Sequence, residues 1–184
     1  KNNSRKFFLL TFERNNVMKK ILLFLVAIAA IIYSCKTNSN SSDSKKLDIT
    51  FESKSNSSVT GTASFIEKNG TVTFEAKLSG LKPGSHAIHI HEKSDCSAAD
   101  GSSAGGHWNP TFKKHGKWGV AEYHKGDIGN FTADAKGNGV ITLTTDEWCI
   151  GCGDDTKDIL GKGLIVHQGA DDFVSQPAGN AGAR

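Results

Sequence analysis

The chain has 184 residues, with 22 basic and 19 acidic side chains, 20 Gly, 3 Pro and 4 Cys. That length holds one domain of ordinary size plus short extensions and excludes a large multidomain assembly. Lys1, Arg5, Lys6, Arg14, Lys19 and Lys20 stand against Glu13 alone in the first 34 residues, so the remainder carries 16 basic and 18 acidic residues; a nearly neutral body without a Lys/Arg run argues against nucleic-acid binding.

Residues 1–17 precede the only methionine, Met18, and are read as upstream translated sequence outside the working protein. Met18-Lys19-Lys20, the apolar run Ile21 to Ile32 and then Tyr33-Ser34-Cys35 have the charged, apolar and small-residue regions of a secretory signal over residues 18–34. The run is short for a permanent membrane span. Ile32-Tyr33-Ser34-Cys35 resembles a bacterial lipoprotein cleavage box, which makes Cys35 the lipidated first residue and places the protein in the periplasm or cell envelope, anchored to the membrane; cleavage without lipid is the alternative. Residues 35–46, largely Ser and Asn with nothing apolar to bury, read as a tether, and residues 47–184 as one domain.

Within that domain the hydrophobic period is two. Val72, Phe74, Ala76 and Leu78 alternate with Thr71, Thr73, Glu75 and Lys77, which predicts a strand with one buried face. Val59 to Glu67 predicts its partner, because the intervening Asn69-Gly70 accepts the positive φ of a tight hairpin turn. Strands are predicted likewise at Phe131 to Ala135, Val140 to Thr144 and Leu164 to His167, while 92–129 and 146–161 carry little strand pattern. The expected architecture is an all-β sandwich or barrel with two long functional loops.

All seven histidines fall in the domain, at 86, 89, 91, 107, 115, 124 and 167. On a strand, His89 and His91 share one face while Ile88 and Ile90 point to the other, which makes half of a metal site. His107, in Gly105-Gly106-His107-Trp108, then His115, His124 and Asp127 add imidazole and carboxylate donors in a Gly-rich loop. Such a mixed set suits zinc, and an all-imidazole set suits copper as well.

The spacing His-x-His-x₁₅-His-x₇-His-x₈-His-x₂-Asp, followed by His167 and the ending Gly179-Asn180-Ala181-Gly182-Ala183-Arg184, resembles the copper/zinc superoxide dismutases from about Val59 to Arg184. The resemblance implies a Greek-key β-sandwich, or flattened eight-stranded barrel. It implies copper on His89, His91, His107 and His167, and zinc on His107, His115, His124 and Asp127, with His107 shared. Asp171 matches a carboxylate that supports a ligand histidine on each side, Arg184 a guanidinium that draws in the anion, and His86 a packing residue on the opposite face of the strand. The implied reaction converts superoxide to dioxygen and hydrogen peroxide by cycling copper between Cu(II) and Cu(I), with His107 and Arg184 as the groups that act on substrate and product.

The family has a Cys three positions beyond the residue matching Arg184, paired with a loop Cys, and a last strand after it. The sequence stops at Arg184, is read as C-terminally truncated, and leaves Cys96 without that mate. Cys149-Ile150-Gly151-Cys152 is read as a local structural disulfide of an exported protein, with a redox or soft-metal role, or pairing to Cys96, as alternatives. Two other functions fit parts of the pattern: a non-catalytic lipoprotein that stores or buffers copper or zinc, and a β-sandwich scaffold with structural metals. Asp171 and Arg184 favour the enzyme, since storage needs no anion guide. Monomer and homodimer stay equally open.

Overall fold

The computed structural model describes residues 44–184. The expected upstream segment, the signal, Cys35 and most of the tether lie outside the described residues. The described residues form seven strands: β1 (Lys45–Phe51), β2 (Thr60–Lys68), β3 (Thr71–Ser79), β4 (Gly84–His91), β5 (Gly129–Ala133), β6 (Gly139–Thr145) and β7 (Gly163–Val166). The one other regular element among the described residues is a single 3₁₀ turn at Ser102–Ala104. Strand β1 opens at Lys45, two residues inside the expected tether. Its signal is the alternation of Leu47, Ile49 and Phe51 with polar neighbours, too short to stand out beside the Ser/Asn run.

All pairings are antiparallel, in the order β1-β2-β3-β6-β5-β4-β7, so the chain twice jumps across neighbours in Greek-key fashion. The predicted hairpin is present: Lys68 pairs with Thr71 across Asn69 and Gly70, at φ 53 and 75. Although β1 and β7 are the two ends of the strand order, Leu47, Ile49 and Phe51 of β1 pack on the same core as Leu164 and Val166 of β7. The sheet is therefore curled on itself, and it contains seven of the eight strands expected for the barrel. The core is centred on Phe65, Phe74 and Trp148, with Phe65 and Phe74 ring centroids 4.7 Å apart and Trp148 edge-on to both. Each such side chain contributes about 1.5–3 kcal/mol by leaving water.

Strand β4 departs from half-buried alternation, because it is buried on both faces from His86 to His91. Ile88 and Ile90 face the core, as parity requires, while His89 and His91 are covered by the loop 92–128 and by a third irregular segment, 167–184. Sequence periodicity does not reveal that third segment as a loop of the site. The 92–128 loop is stitched onto the end of β4: Trp108 N–H donates to the Ile90 carbonyl, Ile90 N–H to Gly126, and Gly126 N–H to Trp108. Gly126 is required there, since a Cβ would stand 2.2 Å from the Ile90 oxygen.

Candidate metal centre

Three pieces of backbone carry the histidines together. His89 and His91 leave the same face of β4. His107 is laid beside His91 by an antiparallel bridge between the two residues. His167 follows β7, whose Ile165 is the register partner of His89; two positions on, its side chain shares that face. One donor atom from each of His89, His91, His107 and His167 falls within a sphere of mutual distances no greater than 4.8 Å, and the same holds for His107, His115, His124 and Asp127. All seven residues are buried.

His89, His91, His115 and His167 each anchor one ring nitrogen on a group outside the donor sets and leave the other free. His89 Nε2 lies 2.9 Å from Asp171 Oδ2, His91 Nδ1 3.0 Å from the Gly105 carbonyl, and His167 Nδ1 3.3 Å from that of Gly182. His115 Nε2 lies 2.9 Å from Asp171 Oδ1, and His107 Nδ1 2.8 Å from Asp127 Oδ1. In the contacts to Asp171, Gly105 and Gly182 the ring N–H donates, which fixes the tautomer, whereas His107 Nδ1 and Asp127 Oδ1 lie side by side as members of one donor set. The buried nitrogens left without a hydrogen-bond partner are His89 Nδ1, His91 Nε2, His107 Nε2, His115 Nδ1, His124 Nδ1 and His167 Nε2. Six orphaned acceptors in one small volume would be costly unless an ion satisfied them. Nδ1 of His115 and of His124 stand 3.0 and 3.3 Å from the two oxygens of Asp127, side by side with the carboxylate as donors to a common point. The donor chemistry thus fits copper on the four-imidazole side and zinc on the side that includes the carboxylate.

Electrostatics agree with neutral, lone-pair-bearing rings. Burial, reinforced by neighbouring cations, pushes His91 down to about 2 and His167 to about 3. Burial also lowers His107, against the opposing bond to Asp127. His115 is the exception: burial disfavours its charge, but Asp127 and Asp171 lift it to about 9. Both carboxylates resist burial through their histidine bonds and are held well below the ordinary range.

Arg184 is anchored, with Nη1 donating to the Gly101 carbonyl at 2.9 Å and Nη2 to that of Gly105 at 2.8 Å. It lines, with His91, His107 and His167, a cleft of about 570 Å³. The Gly105 oxygen therefore receives both Arg184 and His91. His86 takes no part in either donor set; as parity predicted, it packs on Phe131 from the other face, its two nitrogens 3.0 and 2.8 Å from the His167 and Lys82 carbonyls. Cys149 and Cys152 form the local disulfide, and Cys96 is a free, exposed thiol. Sequence reasoning missed Gln176, whose Oε1 accepts from His115 N–H and whose Nε2 donates to the His115 carbonyl, both at 2.9 Å. No spacing signal points to it, because it acts across 61 positions.

A curled Greek-key sheet bearing two donor sets that share one imidazole defines a binuclear metalloprotein. The sequence profile of the copper/zinc superoxide dismutases matches residues 59–184. Two relatives from Aquifex aeolicus (strain VF5), copper–zinc superoxide dismutases 2 and 1, are 38% and 39% identical over 129 residues; these cover 68% and 67% of this chain and 75% of each relative. The crystal structure of the clock protein EA4 is similar in fold, with a TM-score of 0.64 and 29% identity over 74% of this chain and 87% of that one. The chain belongs to the copper/zinc superoxide dismutase family.

Proposed function

We propose that His89, His91, His107 and His167 hold copper, that His107, His115, His124 and Asp127 hold zinc, and that this centre disproportionates superoxide to dioxygen and hydrogen peroxide. The observation that carries the assignment is the set of six orphaned nitrogens; on four of the rings the other nitrogen is committed to the protein, and on His107 it faces the neighbouring set. Copper supplies the alternating one-electron oxidation and reduction that the reaction needs, and zinc supplies fixed charge.

The chain's own groups supply the rest. Arg184 presents a fixed guanidinium in the cleft, which concentrates and orients a small anion. Burial favours the uncharged form of His107, and its Nε2, which has no partner in the protein, is the atom that would take up a proton and pass it to the product. Asp171 holds His89 and His115 by one carboxylate oxygen each, coupling the two donor sets mechanically.

The domain plan proposed with this function is a leader over 18–34, an anchor at Cys35, a short tether and the enzyme domain, exported to the envelope. The Cys149–Cys152 disulfide supports an oxidising compartment. Among the described residues no helix is long and apolar enough to cross a membrane.

The test is superoxide dismutation by the chain loaded with copper and zinc, beside the same chain carrying His89→Ala. Fast turnover lost in the variant is expected. Stoichiometric metal uptake without turnover in the parent would replace the enzyme with a metal store.

A further inference from the structure

His124 is the one zinc-side histidine with no ring nitrogen hydrogen-bonded to protein, since Nδ1 faces Asp127 and the ring makes no other polar contact. Something else must aim it. Its backbone N–H donates to Asp127 Oδ2 at 2.8 Å and its carbonyl accepts from Asp127 N–H at 3.1 Å, which closes the 124–127 turn; Gly126 ties the far side of that turn to β4 through Ile90, and residues 123–125 on the near side need a tie of their own.

The tie comes from the residues on either side. The hydroxyl of Tyr123 donates to Glu147 Oε1, and the ammonium of Lys125 donates to Glu147 Oε2. One carboxylate thus takes both flanking side chains. The residues before and after His124 are thus held on one anchor, while the His124 ring itself lies in the metal set. The carbonyl of Lys125 is also fixed, accepting from the indole N–H of Trp148 at 2.9 Å.

Glu147 and Trp148 follow the end of β6 and are rooted in it. Glu147 N–H donates to Thr145 Oγ1 at 3.0 Å, and Trp148 is buried against Phe65 and Phe74. Trp118 fills the remaining space, its ring 5.0 Å from Tyr123 and 5.2 Å from Trp148. The other histidines are oriented by β4, β7, Asp171 or Gln176. Only the 123–125 segment takes its orientation from β6, through a carboxylate outside both donor sets.

We propose that Glu147 is a positioning residue for the zinc ligand His124, holding it in line by gripping Tyr123 and Lys125 together. This rests on the zinc assignment made above. Loss of such an outer support weakens metal binding by roughly 10–100-fold, because the freed ligand pays its own ordering entropy on binding.

The experiment compares the metal-free full chain with Glu147→Gln, Tyr123→Phe and Glu67→Gln. Glu67 is the control: its carboxylate takes Ile150 N–H and pairs with Lys45, so it also ties a loop to the barrel, but it has no link to His124. The readouts are zinc dissociation constants by chelator competition, the visible spectrum of cobalt(II) placed on the zinc set, and the melting temperature of the metal-free chain. We expect Glu147→Gln to raise the zinc dissociation constant at least tenfold and to alter the cobalt spectrum, Tyr123→Phe to do the same more weakly, and Glu67→Gln to lower the melting temperature alone. Parental zinc affinity and cobalt spectrum in Glu147→Gln and Tyr123→Phe would overturn the proposal. Zinc binding by the parent that is indifferent to His115→Ala would instead overturn the zinc assignment itself.

Discussion

Asp171→Asn separates the two halves of the metal centre. Both carboxylate oxygens of Asp171 are fully buried and each accepts from a histidine at 2.9 Å, Oδ2 from His89 and Oδ1 from His115. Asparagine has the same shape but one oxygen. Which side keeps that oxygen is decided by Phe173, whose backbone N–H donates to Oδ1 at 2.6 Å and so demands an acceptor there. The amide nitrogen must then face His89 Nε2, donor against donor. Relief would come from moving the ring proton to Nδ1, but Nδ1 is the atom aimed into the donor set. Losing one hydrogen bond to a charged acceptor costs about 1.5–3 kcal/mol. The usual effect of removing an outer-shell partner, about 10–100-fold in affinity, agrees. Copper affinity, measured by chelator competition, is expected to fall by roughly that factor, with zinc affinity held within about threefold. Equal loss on both sides, or undiminished copper binding, would refute this account of Asp171.

Three further predictions follow from the same geometry. Gly179 adopts φ 70, and a Cβ would stand 1.8 Å from Asp171 Oδ1 and 2.6 Å from His115 Nε2; Gly179→Ala should weaken zinc binding and cost more than the roughly 1–2 kcal/mol of left-handed strain alone, read by chemical denaturation. Arg184→Lys replaces a fork that spans two carbonyls with a point charge, so catalytic efficiency should fall and its dependence on ionic strength should change, measured in dismutation assays across a salt series. The metal-free chain should be most stable near pH 6.5. His91 and His167 are held at about 2 and 3, below the unfolded value, so their contribution is present above pH 6.5 and is lost as pH falls. Between pH 6.5 and 5 each loses about 2 kcal/mol, at about 1.4 kcal/mol per pH unit. His115, raised to about 9, contributes below pH 6.5 and that contribution is lost as pH rises toward 9. Denaturant unfolding of the metal-free chain that shows equal or greater stability at pH 5 than at 6.5 would contradict this.

Strand identity was largely legible, because one buried face imposes a period of two and the Asn69-Gly70 turn announces its own φ values. Strand β1 was the exception, a short alternation adjoining a polar run. The disulfide was legible from a spacing of three, and the choice of Cys149 with Cys152 over Cys96 was decided by the fold, which leaves Cys96 exposed and unpaired. The resemblance carried the donor residues themselves; parity brings His89 and His91 to one face, and the β4–β7 register adds His167 to it.

What the sequence by itself determined is local: side-chain chemistry, strand period, turn conformation and which residues share a face. Only the tertiary structure decided what holds those donors in place. Asp171, whose supporting role the resemblance implied, reaches His89 across 82 positions; Gln176, which reaches His115 across 61, and Glu147, which grips Tyr123 across 24, came from the fold alone. These contacts sit in irregular segments with no period to read. Each forms only because the curled sheet sets β4, the end of β6 and the 167–184 segment around one buried space, where an unpaired polar group would be too costly to leave.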